Sequence, residues 1–353
     1  MKQTPEIICL FSGGLDSLLA ALLLQRQGLT VRCVHFVSPF FGNPQGVEHW
    51  CAAYGLDIVC HDLGETFAAM LYQRPEHGFG KTLNPCVDCK ILQLRTARAY
   101  MQALGAQALA TGEVLGQRPM SQRRDTLNLI QREAAVRDIL LRPLSALHLE
   151  PTGVERDGLV DRTRLLGIQG RGRKEQLALA RDLGLTHIPT PSGGCRLTER
   201  ENARRYWAVL THVQQPAAAD FDLANLGRQC WHETAQAAYW LCVGRHSADN
   251  EKLAAAARPG DALLMLRDVP GPLALARQGF HWPEDVLRLA AAHMASYAPK
   301  AVGRVVVRCT QDGTVFLDLS VTPQRSEQTW GELSWESVKA QLRAEARERQ
   351  MSK

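Results

Sequence analysis

The chain predicts an α/β protein: a doubly wound parallel sheet followed by a smaller α+β domain. Three observations carry this expectation. Short apolar runs alternate with helix-period segments through the first half of the chain. The run 6–11 ends directly on Ser12-Gly13-Gly14-Leu15-Asp16-Ser17, and a helical pattern begins directly after it. Beyond a polar, alanine-rich stretch around 214–220 the pattern changes to short strand-like runs around a Pro-Gly turn. The expected division is a catalytic domain over 1–205, a linker over 206–220 and a small domain over 221–353.

In order, strands are predicted over 6–11, 30–36, 56–63, 106–111 and 139–144. Helices are predicted over 17–27, with Gly28 as its C-terminal cap, then over 46–54, 88–104 and 173–184. Strands this apolar, spaced by helices, imply a parallel sheet covered on both faces. In the second domain, short strands over 263–266 and 273–276 flank Asp268-Val269-Pro270-Gly271-Pro272. A helix over 283–294, a hairpin of 303–309 with 314–321, and a charged helix over 334–349 complete it.

A glycine turn between a buried strand and a helix aims backbone N–H groups and the positive helix end at one point. Such a nest binds an anion, and phosphate suits it best. Asp16 inside the turn would repel phosphate unless a cation lay between them, which Mg²⁺ on a pyrophosphate would do. The pattern matches neither the Walker loop nor the dinucleotide fingerprint. It resembles the Ser-Gly-Gly-x-Asp-Ser signature of the PP-loop ATP pyrophosphatases, which implies ATP split between its α and β phosphates. Ser12, Gly13, Gly14, Leu15, Asp16 and Ser17 are then the expected nucleotide loop. His35 and Phe36 at the end of the second strand, and Gly112 after the fourth, are expected to line the same crevice.

Composition sets the frame. A 45% hydrophobic and 22% charged chain is ordinary for a globular protein, and a net charge of +5 is compatible with a nucleic-acid partner without requiring one. The longest unbroken apolar run, 18–24, is far too short for a bilayer, and the N-terminus lacks a signal-peptide pattern, so no membrane and a cytoplasmic location are expected. In that setting the ten cysteines read as thiols, ligands or catalytic groups rather than a disulfide framework.

Most of them are expected in the core. Cys86 and Cys89, in Asn84-Pro85-Cys86-Val87-Asp88-Cys89-Lys90 at a helix start, differ, as does Cys195 in Pro191-Ser192-Gly193-Gly194-Cys195. Three thiols fit a [4Fe-4S] cluster with one iron lacking a protein ligand, or a redox or persulfide pair. Zinc completed by His77 or His187 and purely structural thiols are the further alternatives.

The loop followed by Asn-Pro-Cys-x-x-Cys and a later Gly-Cys resembles the tRNA 2-thiouridine and 4-thiouridine synthases and the 2-thiocytidine synthetases. The stretches 112–122 and 170–174 resemble one branch of tRNA thiouridine synthases. By that resemblance Cys89 matches the cysteine used against the modified base, and Cys195 the carrier of persulfide sulfur. The set Cys86, Cys89 and Cys195 equally matches three cluster ligands. Arg118, Arg123, Arg124, Arg171, Arg173 and Lys174 are expected RNA-phosphate contacts. The stretch 243–251 with the 268–272 turn resembles the RNA-binding domain of the NFACT proteins, although His246 stands where an asparagine is usual.

The resemblance implies an ATP-dependent tRNA sulfurtransferase. A base carbonyl oxygen attacks the α-phosphorus, pyrophosphate leaves into the glycine loop, and sulfur from a separate donor then displaces AMP. Two alternatives stay open: a PP-loop enzyme that thiolates or amidates a small molecule, and a non-catalytic RNA-binding protein.

Overall fold

The computed structural model describes residues 4–189, 194–326 and 328–351. It divides into two compact units, Met1–Thr198 and Glu199–Lys353.

The first unit runs β1 (Ile7–Leu10), α1 (Leu15–Gln25), β2 (Val31–Val37), α2 (Val47–Tyr54), β3 (Asp57–Asp62), α3 (Gly64–Gln73), α4 (Cys86–Leu104), β4 (Ala108–Thr111), α5 (Arg124–Glu133), β5 (Leu140–Leu141), α6 (Gly153–Arg156) and α7 (Lys174–Asp182). The five strands form a parallel sheet in the order β3-β2-β1-β4-β5. The period-2 rule of a strand explains why β1 is buried on both sides. Ile7 and Cys9 pack with Leu18, Ala21 and Leu24 of α1, whereas Ile8 and Leu10 pack with Ile91, Leu94 and Ala97 of α4. Glu6, charged within the apolar run, accepts hydrogen bonds from the Thr30 amide at 2.8 Å and its hydroxyl at 2.9 Å, tying the sheet's central strand to β2.

The chain leaves β1 toward β2 and β3, then returns to β1's other side with β4 and β5. The strand order reverses between β1 and β4, so their carboxyl ends open a crevice there. The glycine loop follows β1, and Gly112 follows β4.

The elements differ from expectation in specific places. Helix α4 begins at Cys86, which places both motif cysteines in its first turn. The strand expected over 139–144 reduces to Leu140–Leu141, because Pro143 cannot donate to a ladder. Helices α3 and α5 lie outside the predicted elements.

The second unit runs α8 (Arg200–His212), α9 (Ala218–Ala224), β6 (Arg228–Glu233), β7 (Ala238–Val243), α10 (Ser247–Ala255), β8 (Ala262–Leu266), β9 (Ala274–Ala276), α11 (Glu284–Ala295), β10 (Val305–Gln311), β11 (Thr314–Val321) and α12 (Trp335–Met351). Its antiparallel sheet has the order β11-β10-β8-β9-β7-β6, and Leu241, Leu264, Val307 and Leu319 pack on Val286, Ala290 and Met294 of α11. The linker expected over 206–220 is a correction. Tyr206 and Trp207 are buried in α8, and the Tyr206 hydroxyl donates to Asn225 at 2.6 Å. Its charged sequence hides a buried apolar face, and the division falls at Thr198/Glu199 instead.

The 243–251 motif performs local work. The Asp249 amide donates to His246 Nδ1 at 3.2 Å, which caps α10, and Asp249 pairs with Arg245 at 2.8 Å. Asn250 Oδ1 accepts from the Leu273 amide at 3.1 Å, joining the motif to the end of the 268–272 turn.

Candidate active site

Phe11-Ser12-Gly13-Gly14 turns the chain from β1 into α1. Gly13 has φ +78°, a left-handed conformation, and a Cβ there would fall 2.6 Å from the Trp50 indole. Ser17 staples the turn: its hydroxyl donates to the Gly14 carbonyl at 2.8 Å and accepts from the Ser12 amide at 3.2 Å. Its proton is thus committed to the loop's own shape. The first-turn amides of α1 have no intrahelical acceptor and point out of the helix end.

Asp16 stands in this first turn. Burial raises its carboxyl pKa above the ordinary value, opposed by the charge of Arg173, the amide of Gln117, the charge of Arg118 and the amide of Gln176. Asp16 Oδ1 is buried with no hydrogen-bond partner. One orphaned carboxylate oxygen beside a phosphate-type nest fits a Mg²⁺ that keeps most of its water.

Gly112 belongs to the same structure. A Cβ on it would lie 2.4 Å from the Asp16 carbonyl carbon and the Ser17 amide, so only glycine lets the end of β4 pass the loop. His35 is placed differently from expectation. Its Nδ1–H donates to the Phe11 carbonyl at 2.9 Å and its Nε2 accepts from the Asn43 amide at 2.9 Å. Burial lowers its pKa, and the neutral ring braces the loop with both nitrogens occupied. Phe36 points to the opposite face of β2, into the core beside Ile91.

The three thiols influence one another electrostatically. Thr82 Oγ1 and the Leu83 amide donate to the Leu197 carbonyl at 2.9 and 3.2 Å, stitching the approach to α4 onto the segment after Cys195. Asn84 Nδ2 donates to Cys86 Sγ at 3.1 Å, and Gln93 Nε2 to Cys89 Sγ at 3.5 Å. Cys89 is pushed up to about 12 by burial, against the charge of Lys90 and with Cys195 and Cys86 adding to the rise. Cys195 is pushed up to about 11 by burial, with Cys86 raising it while the Leu197 and Thr198 amides and the charge of Arg118 lower it. Residues 190–193 of the predicted loop lie outside the described residues.

Among the described residues no group of three or more His, Cys, Asp and Glu side chains stands close enough to share one metal ion. Of the two histidines named for zinc, His77 is held between Asp88 at 3.2 Å and Glu133 at 3.4 Å, and His187 Nδ1 lies 3.1 Å from the Thr186 hydroxyl. A [4Fe-4S] cluster binds each thiolate to a separate iron, and this three-cysteine set fits that donor chemistry.

Of the six predicted cations, two act on the site. Arg173 bears on Asp16, and Arg118 bears on both Asp16 and Cys195. Arg124 donates to the His148 carbonyl at 2.8 Å, and Arg123 pairs with Asp125 at 3.3 Å. Arg171 and Lys174 are exposed on either side of Arg173.

Several polar groups escape a sequence-level reading. Glu113 and Arg142 form a buried ion pair at 3.1 Å. Burial would raise the Glu113 carboxyl, but Arg142, Lys90 and the Thr111 hydroxyl hold it below the ordinary range. Gln176, on α7, is fully buried with both amide atoms unpartnered, as are those of Gln117. Both amides influence Asp16, yet neither reaches hydrogen-bond geometry. Only the Gly112–Gln122 stretch drew attention to any of these.

Residues 3–151 match the family model described as "Thiamine biosynthesis protein (ThiI)". The tRNA-specific 2-thiouridylase MnmA of Nitratidesulfovibrio vulgaris (strain DSM 19637 / Miyazaki F) is 37% identical over 128 residues, 32% of this chain and 35% of that protein. The tRNA sulfurtransferase of Desulfurococcus amylolyticus is 26% identical over 178 residues, 48% of this chain and 34% of that protein. The chain thus spans about a third of the length of these relatives. A solved structure, the U34-tRNA thiolase NcsA from Methanococcus maripaludis with its [4Fe-4S] cluster, superposes with a TM-score of 0.31 at 16% identity, covering 60% of this chain and 75% of that one. At that score the superposition supplies no residue correspondence. The match over residues 3–151 includes the glycine loop and the Cys86–Cys89 motif, and Cys195 lies beyond it. Among the described residues no helix is long and apolar enough to cross a membrane.

Proposed function

We propose, from the match of residues 3–151 to the ThiI family model, that the chain is a cytoplasmic, ATP-dependent tRNA sulfurtransferase. The relatives' names supply the reaction class, and one observation carries it to this chain. A single guanidinium, Arg118, bears on both the nucleotide-loop carboxylate and the Cys195 thiol. In this reading, diphosphate chemistry and sulfur chemistry serve one nucleobase.

In this reading the carbonyl oxygen of a tRNA base attacks the α-phosphorus of ATP and the bond to the β-phosphate breaks. Pyrophosphate departs onto the amides of Gly13, Gly14, Leu15 and Asp16, and Arg173 and Arg118 neutralise its charge. The oxygen, now part of a phosphate ester, becomes a good leaving group. Sulfur attacks the ring carbon, the carbon–oxygen bond breaks, and AMP carries the oxygen away. Mg²⁺ on Asp16 would supply charge neutralisation between carboxylate and phosphates.

Cys86, Cys89 and Cys195 serve as the sulfur-handling set. Burial holds the Cys89 and Cys195 thiols protonated at neutral pH, and service as ligands of a [4Fe-4S] cluster would displace those protons. That cluster would supply an iron without a protein ligand, where sulfide can bind. A persulfide on Cys195, accepted from a separate donor, is the second reading, favoured by the positive charge of Arg118 beside that thiol. Anaerobic purification with an absorbance spectrum and iron assay separates them: a colourless, iron-free, fully active protein overturns the cluster.

The second unit is assigned part of the RNA grip. Mass spectrometry of tRNA nucleosides from a deletion strain tests the function itself. Loss of one thiolated nucleoside is expected; an unchanged nucleoside profile removes tRNA thiolation.

A further inference from the structure

Five side-chain atoms around Asp16 are buried and unpartnered together: Asp16 Oδ1 and both amide atoms of Gln117 and of Gln176. Gln176 is 0% exposed, although it sits in the first turn of a helix whose neighbours Lys174 and Glu175 face solvent. Buried polar groups of a folded protein are nearly always hydrogen-bonded, and leaving a pair of amides unpaired is destabilising. Gln176 would more simply be leucine if its place were only structural. Two neutral amides beside a carboxylate offer donors and acceptors at once. That mixture suits a hydrated divalent cation on a phosphate, whose water ligands donate and whose phosphate oxygens accept. Arg173 and Arg118 already bring positive charge to Asp16, so neutral amides add hydrogen bonds without further repelling the metal or the phosphates.

We propose that Gln117 and Gln176 are positioning residues that hold the hydrated Mg²⁺ and triphosphate over Asp16. Their Oε1 atoms accept from the metal's water ligands, and their Nε2 atoms donate to phosphate oxygens. The inference rests on the reading of the glycine loop as the Mg·ATP site and names what completes it. Neither glutamine hydrogen-bonds a thiol, so the proposal is separate from the sulfur chemistry.

The test compares wild type with Gln176→Leu and Gln117→Leu in the full chain. Mn²⁺ and α,β-methylene-ATP serve as probes, with affinity read by calorimetry and stability by thermal melting. Gln176→Leu removes two unsatisfied polar atoms from a buried place, so its ligand-free melting temperature is expected to equal or exceed that of wild type. Its affinity for the probe pair falls by about tenfold, the worth of one lost hydrogen bond to a charged group. The ligand-induced rise in melting temperature shrinks in step. Gln117→Leu shifts affinity the same way. Unchanged affinity in both variants overturns the proposal, and so does a lowered ligand-free melting temperature with unchanged ligand response, the mark of a purely structural residue. A wild type that fails to bind the probe pair would instead remove the reading of the loop itself.

Discussion

Asp16 illustrates how a candidate site residue opposes the fold that holds it. Burial raises its pKa, so at neutral pH its charged form is a cost to the folded state, relieved as pH falls through the raised value. Asp16→Asn is therefore expected to leave ligand-free stability unchanged or improved while abolishing Mg²⁺-dependent nucleotide binding, checked by melting and calorimetry. In the wild type, binding should weaken on acidification at a higher pH than an ordinary aspartate would dictate. Gly112→Ala makes the opposite kind of test. Its Cβ would strike the Asp16–Ser17 backbone, and overpacking of this kind costs about 1–3 kcal/mol and displaces the loop, so stability and nucleotide affinity fall together. The glycine loop, Asp16 and the three cysteines were legible in the sequence because each breaks an ordinary pattern: glycines at a strand end, an acid in an anion nest, paired thiols at a helix start. Gln176 and Arg142 were not legible. A glutamine in a charged helix and an arginine after a strand read as surface residues, and only three-dimensional burial reveals them.

Element by element, α4 carries two of the three candidate thiols on the clearest pattern. Ile91, Leu94, Ala97 and Met101 recur at helical spacing and pack it against β1 and β4, so its first turn holds Cys86 and Cys89 steady. Leu94→Ala should cost about 2–5 kcal/mol in denaturant melts, with iron or persulfide content falling along with it. Glu113→Ala should be more damaging than its size suggests, by about 3–5 kcal/mol, because it strands Arg142 as a buried charge. Strands β1 to β4 and helices α1, α2, α4 and α7 followed from apolar periodicity. Strands β6 and β7 did not: Arg-Gln-Cys-Trp-His-Glu alternates without a simple apolar face, since Gln229 is buried by hydrogen bonds to the Leu223 carbonyl and the Trp240 indole. Helix α8 was mistaken for linker because its charges dominate the composition around a buried Tyr206 and Trp207.

At the scale of the whole molecule, the proposed reading asks the first unit to bring two chemistries to one sheet end. The reversal of strand order beside β1 creates the nucleotide crevice, and the Thr82–Leu197 stitch brings a thiol from far along the chain to the CxxC helix. Parallel-sheet topology was readable; that long-range stitch was not, because backbone carbonyls carry no sequence signature. With exposed Arg171 and Lys174 on tRNA phosphates, affinity should fall with salt in filter-binding titrations, and a flat response removes them from the RNA face. The most direct test of a shared site is a single-turnover reaction of the protein with Mg·ATP, a sulfur donor and total tRNA, with AMP and thionucleoside quantified together. Equal amounts of AMP and thionucleoside are expected from wild type, AMP without thionucleoside from Cys195→Ser, and neither from Asp16→Asn. Undiminished thionucleoside from Cys195→Ser or Asp16→Asn would contradict the account.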